Sequence, residues 1–375
     1  MLYQTHARIH LENIRFNLAG IRQAVGPQRK ILVAVKANGY GHGAVEISRL
    51  AEVSGIDWLG VATVPEGLEL RRAGIQLPIL KFSPAFPEEL PAVLGDDLTL
   101  TVASRQNIDD LQTACRAANV QAAAHLKLDT GMGRIGCAPE EAPALAAYLK
   151  NECPNLRLTG VFTHFPVSDE ADPTYTRAQI ERFKSAVEAI QSTLGHKLDL
   201  VHAANSGAVL GHEPAWLDLV RPGIMVYGFY PHPGTPRSIP LKPGLSFLTR
   251  VSFIKKVTAG TSIGYGRTWV APHDTYIATL PVGYADGFNR LFSNRGRVLI
   301  NGQSYPVVGR VCMDQSMVDL GPQTDVKVGD EVILIGRSGD QEITTYEWAE
   351  KLGTITYEVT CQINQRVQRV YDERT

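Results

Sequence analysis

Eight times between residues 31 and 228 the chain presents a short, nearly unbroken apolar run: ILVAV (31–35), WLGVAT (58–63), PILKF (78–82), LTLTVA (98–103), AHLKL (124–128), LTGVFTHF (158–165), DLVHAA (199–204) and LDLVRPGIMVYG (217–228). Helix-like stretches such as AVEISRLAE, PEGLELRRAG, DDLQTACRAA and YTRAQIERFKSAVEAIQ lie between them. Continuous apolar runs suit strands buried on both faces, as in a parallel sheet covered by helices. Eight strand-plus-helix units in succession predict an α/β fold, an N-terminal (β/α)8 TIM barrel. An open doubly wound sheet is the alternative, because periodicity alone does not show closure.

The pattern then changes. Pro231, Pro233, Pro236, Pro240 and Pro243 form a stiff connector. Beyond it LSFLTRVSFIKKV, TYIATLPVGY, RVLINGQSYPVVGRVCM, SMVDLG, DEVILIG and RVQRVY read as turn-separated strands, with one helix-like patch, TTYEWAEKLG. The expected division is a barrel over residues 11–240 and a mainly β domain over 241–375, with residues 1–10 adding a strand to the latter. A chain of 375 residues exceeds what one ordinary core serves, which agrees with two domains.

Composition narrows the function classes. Lys plus Arg (37) nearly balance Asp plus Glu (38), and no basic stripe stands out, so nucleic acid is a poor partner. No run approaches the roughly 18 apolar residues of a spanning helix, and MLYQTHARIH lacks the apolar core of an export signal. Cys115, Cys137, Cys153, Cys312 and Cys361 include no CxxC pair, which argues against a disulfide framework and a structural zinc. No metal site, no membrane partner and a cytoplasmic location are expected.

In a (β/α)8 barrel the active site gathers at the C-terminal ends of the strands. Lys36 ends the first run and NGYGHG follows it; Arg134 follows the fifth, in DTGMGRIG. His164 ends the sixth run, Asn205 and Ser206 end the seventh, and Arg221 and Gly223 lie within the eighth. Taken singly, each has an ordinary reading: a solvated lysine, a hydrogen-bonded histidine, a glycine turn, an ion-paired arginine. Their joint placement at one end of the strands favours a site.

The segments VAVKANGYGHG, KLDTGMGRIG, GVFTHF, HAANS, RPGIMVYG, IGYGRTW, LPVGYADGF, GRVCMDQ and TITYEV occur in this order along the chain. Together they resemble the alanine racemases, pyridoxal-phosphate enzymes built of a barrel and a β domain. The resemblance implies an interconversion of L- and D-alanine by two bases, with pyridoxal 5'-phosphate as cofactor bound by the barrel.

On that resemblance Lys36 would bond covalently to the cofactor aldehyde and act as one base, and Tyr265 would be the other. Ser206, Tyr357, Tyr40 and the N–H groups of Gly223 and Ile224 would hold the phosphate, with Asn205 lining the site. Arg221 would face the pyridine nitrogen and, as a permanent donor, leave it unprotonated. Arg134 and the Met313 N–H would bind the substrate carboxylate. Lys127 matches a position that carries a carbamate in the family, oriented toward Arg134. His164, Asp169, Tyr284 and Asp314 would support the site or line its entry. A homodimer is implied, with Tyr265 and Met313 reaching the site of the other subunit. Two other readings share the cofactor. A decarboxylase for basic amino acids would lack the GYGRTW and THF matches. A non-catalytic cofactor carrier would lack everything beyond Pro243.

Overall fold

The structure, a computed structural model, describes residues 3–372. It divides into two compact units: Ile14–Lys242, and a second that joins the start of the chain, as far as Asn13, to everything from Pro243 onward.

Strand β1 (His6–Ile9) belongs to the second unit. The first unit holds β2 (Lys30–Ala34), β3 (Trp58–Val61), β4 (Ile79–Lys81), β5 (Leu98–Val102), β6 (Ala122–Lys127), β7 (Leu156–Phe162), β8 (Leu200–His202) and β9 (Leu219–Val220). They pair in parallel, in chain order, and β9 pairs with β2 to close the barrel. Closure decides against the open sheet. Leu32, Leu80, Leu200 and Leu219 form a fully packed cluster, with Trp58 and Phe82 against it.

The helices start where their sequences allow. Thr63 accepts a hydrogen bond from Glu66 N–H while the Glu66 carboxylate accepts from Thr63 N–H, a capping box that opens the helix Val64–Arg72. Ser104 caps Arg105–Ala118, and the helix Thr174–Leu194 stops at Gly195, whose φ is 74°.

One expectation fails here. The eighth apolar run is a strand for only two residues, and Arg221 and Gly223 follow it rather than lying within it. Pro222 has no N–H to give to a ladder, so the pairing stops before it. Likewise β7 ends at Phe162, two residues short of His164.

The second unit adds β10 (Leu245–Arg250), β11 (Phe253–Val257), β12 (Ser262–Ile263), β13 (Trp269–Val270), β14 (Thr275–Leu280), β15 (Arg297–Ile300), β16 (Gln303–Pro306), β17 (Ser316–Gly321), β18 (Glu331–Ser338), β19 (Gln341–Ile343) and β20 (Gln368–Tyr371). One sheet runs β16-β15-β18-β10-β1-β20, with β19 on β18; another runs β11-β14-β17, and β12 pairs with β13. β1 is antiparallel to β10 and parallel to β20. The helix Thr345–Leu352 packs Trp348 against Phe247, Phe288 and Phe292. A second helix, Thr356–Cys361, is not foreseen by the sequence pattern: it is six residues long and rich in Thr and Val. Among the described residues no helix is long and apolar enough to cross a membrane, and no cluster of metal ligands occurs.

Candidate active site

Just past β2 the backbone does something costly. Ala37, Asn38, Gly39 and Tyr40 take φ of 51°, 53°, 60° and 52°, a full turn of left-handed helix with only one glycine in it. Each ordinary L-residue in that conformation costs about 1–2 kcal/mol, less for Asn. Hydrogen bonds from Gly39 N to Val35 O (2.7 Å), Gly41 N to Ala37 O (3.0 Å) and Gly43 N to Asn38 O (2.8 Å) hold the turn. The Asn38 side chain accepts from Ala44 N at 2.9 Å. Lys36 thus leaves the barrel rim half-buried, its Nζ 5.9 Å from the centre of the Phe82 ring. Tyr40 turns inward and stacks on Tyr227 at 4.9 Å, and the Tyr227 hydroxyl donates to Ala34 O.

The loops after β2, β8 and β9, neighbouring strands of the closed barrel, supply an anion cradle. Ser206 Oγ accepts from Gly223 N–H at 2.9 Å, and Tyr40 Oη lies so near Gly223 that a Cβ there would sit 2.6 Å from it. Glycine is therefore required for this close approach. Ile224 is fully buried, and its N–H meets no acceptor among the described residues. Asn205 caps the short helix Ser206–Gly211, accepting from Ala208 N–H and from Ser168 Oγ, and donates to Phe165 O. Asp169 lies in the loop against Gly207.

Arg221 is buried, and among the described residues no carboxylate pairs with it. It donates to His202 Nδ1 (2.8 Å), Thr163 O (2.6 Å) and Ala203 O (2.9 Å), and Nη2 stands 3.5 Å from His164 Nδ1. Burial lowers its pKa to about 9, which leaves it a cation at neutral pH. Because a guanidinium only donates, His202 Nδ1 must accept, so His202 carries its proton on Nε2 and donates to His125 Nδ1 at 2.9 Å. His125 then carries its proton on Nε2, which meets no partner in the core. Burial, and then Arg221, hold His125 down at about 3; the same causes hold His164 and His202 well below the usual range.

Lys127, at the end of β6, is almost fully buried, 3.5 Å from Phe82 O and 5.2 Å from the Phe162 ring centre. Burial, followed by Arg221, Arg134 and Lys36, pushes its pKa down to about 7. Arg134 projects from a loop that Asp129 ties: its Oδ1 accepts from the N–H groups of Gly131, Met132 and Gly133.

The second unit groups its own candidates. Tyr265 stands between Gly264 and Gly266, both at positive φ, and is 73% exposed; Met313 is 54% exposed. The loop Cys312–Met313 lies directly on Gly283, with Tyr284 N donating to Cys312 O and Ala285 N to Met313 O. Met313, Asp314 and Tyr284 are thereby brought together. A cavity of about 420 Å³ opens beside Tyr284, lined also by Gly287, Asn289, Arg290 and Gln362. The buried Asp286 carboxylate holds Arg366 at 2.7 Å, and Arg366 in turn holds Asp314 at 2.8 Å. Tyr357 sits in the helix Thr356–Cys361.

Sequence reasoning missed five residues: His125, His202, Asp286, Arg366 and Glu66, whose carboxylate accepts from Ala37 N–H at the start of the left-handed turn. His125 and His202 interrupt otherwise apolar strands, a signal that was available. Asp286 with Arg366, and Glu66 with the left-handed turn, depend on contacts between distant segments and leave no local trace.

Comparison with known proteins follows the same division. The alanine racemase N-terminal domain family matches residues 9–231 and its C-terminal domain family matches 245–371. An alanine racemase of Cutibacterium acnes is 48% identical over 369 residues, 98% of this chain and 97% of that protein. The solved alanine racemase of Clostridium difficile superposes with a TM-score of 0.94 at 38% identity, covering 100% of this chain and 97% of that one. That of Bacillus anthracis with bound L-Ala-P gives 0.94 at 35% identity, covering 99% and 96%. By sequence over both units, and by fold, this chain belongs to the alanine racemase family.

Proposed function

We propose that this chain interconverts L- and D-alanine with pyridoxal 5'-phosphate, held by the barrel of residues 11–240. The observation that carries the cofactor reading is the rim of the barrel. An amine at Lys36, a buried arginine at Arg221 that no described carboxylate pairs, and a cradle of Ser206, Gly223, Ile224 and Tyr40 stand at the same strand ends. A phosphate fits the cradle, which offers a hydroxyl, a close-approach glycine and an N–H without an acceptor. When bound, the cofactor withdraws electrons from the substrate's Cα and so acidifies its proton.

The residues divide the rest of the work. Lys36 binds the cofactor and takes or returns the Cα proton on one face; Tyr265 does so on the other. Arg134 and Met313 N–H hold the substrate carboxylate, while Tyr357 adds a hydroxyl to the phosphate and Asn205 lines the site. Arg221, held by His202 and two carbonyls, would donate to the ring nitrogen of the bound cofactor without protonating it, which would weaken the electron sink and limit side reactions. His164 neighbours Arg221 and, kept uncharged, does not compete for its acceptors. A carbamate on Lys127 would orient Arg134; Asp169, Tyr284 and Asp314 line the approach. Tyr265, Tyr284 and Tyr357 leave room for a small side chain.

Tyr265 and Met313 act in a partner subunit's site, in a homodimer whose contact covers these exposed side chains. A cytoplasmic location completes the proposal, in keeping with five free thiols.

The test is direct. The purified protein is reduced with borohydride, digested and mapped, and L- and D-alanine are assayed alongside serine and lysine. The reading expects label on Lys36 and racemisation of alanine foremost. Label on another lysine, or release of carbon dioxide from lysine, overturns it.

A further inference from the structure

We infer that Glu66 is a positioning residue for Lys36. It clamps the left-handed turn that follows Lys36 and so sets where the amine points. The inference rests on the reading of Lys36 as cofactor anchor and base.

The Glu66 carboxylate joins two loops. Its Oε1 accepts from Ala37 N–H at 2.7 Å, and its Oε2 accepts from Ala62 N–H at 2.7 Å and Thr63 N–H at 3.0 Å. The Ala37 N–H belongs to the peptide bond that leaves Lys36. On the other side of Lys36, Val35 N donates to Gly60 O at 2.9 Å. Lys36 is therefore held between two anchors, one a rigid strand contact and the other a carboxylate from the next strand-to-helix loop. The strained turn begins at Ala37, which has no glycine's freedom and sits at φ 51°. Without an acceptor for its N–H, Ala37 loses the partner that favours this conformation and can relax to an ordinary one, taking Lys36 and the inward-facing Tyr40 with it.

A capping role alone explains only half of this. The capping box needs Thr63 and one carboxylate oxygen; the bond to Ala37 uses the other, and lies outside the helix that is capped. The charge also suits the task, since a carboxylate supplies acceptors only and three N–H donors converge on it. An amide at this place has a single acceptor oxygen and would turn its own N–H groups toward a donor.

Two variants separate positioning from capping. Glu66→Gln keeps size and shape but cannot serve both loops; Thr63→Ala removes the cap hydroxyl and leaves the carboxylate. In the holoenzyme, Glu66→Gln is expected to speed hydrogen exchange across the peptide containing residues 37–40 about tenfold and to hasten cofactor loss on dilution about tenfold. It should lower kcat about tenfold while KM for alanine stays within twofold. Thr63→Ala should leave exchange at 37–40 and cofactor retention within twofold of wild type. The idea is overturned by wild-type exchange and retention in Glu66→Gln, or by Thr63→Ala reproducing its losses. Borohydride mapping of the wild type keeps the two readings apart: label away from Lys36 defeats the anchor assignment, whatever Glu66 does.

Discussion

At the scale of single residues, the barrel's rim is a study in cations kept from one another. Lys127 has Arg221, Arg134 and Lys36 as neighbours, and its burial gives a pKa of about 7, so much of the amine is unprotonated at neutral pH. A neutral amine among cations is a nucleophile with a reason to become an anion: a carbamate replaces repulsion with attraction and gives Arg134 a charged acceptor. The expected outcome is a carbamate 13C resonance after equilibration with labelled bicarbonate, lost in Lys127→Arg. Racemase activity in Lys127→Arg should fall at least tenfold, with KM rising because Arg134 loses its orientation. A wild-type spectrum with no carbamate signal and full activity would remove the carbamate from the account.

At the scale of elements, His125 on β6, His202 on β8 and the Arg221 guanidinium just past β9 form a hydrogen-bonded line in the barrel interior, with His164, just past β7, beside Arg221. This arrangement ties stability to pH. His125 is held at about 3 when folded, against an ordinary value near 6.5 in the unfolded chain. Above about pH 6.5 both states are neutral and nothing is lost. Below it the unfolded chain takes up a proton that the folded one refuses, so stability falls as pH falls toward 3, by about 1.4 kcal/mol per pH unit for this group. His202, lowered for the same causes, steepens the slope. Urea midpoints at pH 7.5 and 5.0 test this: the midpoint should drop at pH 5.0, and less so in His125→Leu than in wild type. An equal drop in both proteins would show the histidine uninvolved. The barrel itself was legible in the sequence because strands buried on both faces announce themselves as apolar runs. So was the gathering of Lys36, His164, Ser206 and Arg221, since position at a strand end is a local property. The eighth strand was over-read because GIMVYG is apolar for another reason: those residues are buried in turns behind Pro222. The left-handed turn, the Glu66 clamp and the Asp286–Arg366 pair were not legible, because each depends on which distant backbone a side chain meets.

At the scale of the whole molecule, the proposed dimer divides each site between two chains, and that division has a mixing test. Lys36→Ala and Tyr265→Phe should each be nearly inactive as homodimers. If Tyr265 serves the partner's site, subunit exchange between them rebuilds one complete site in each mixed dimer and restores about a quarter of wild-type activity. If each chain served its own site, no mixture would recover. The central claim is that two bases work on opposite faces of one carbon, Lys36 on D-alanine and Tyr265 on L-alanine. Tyr265→Phe deletes the hydroxyl that would transfer the proton while keeping the ring. The measurement is α-hydrogen washout from each isomer in deuterated water, followed by proton NMR. The account predicts that Tyr265→Phe still exchanges D-alanine, while exchange from L-alanine and racemisation in both directions fall by orders of magnitude. Equal loss from both isomers, or near-normal racemisation, would contradict it.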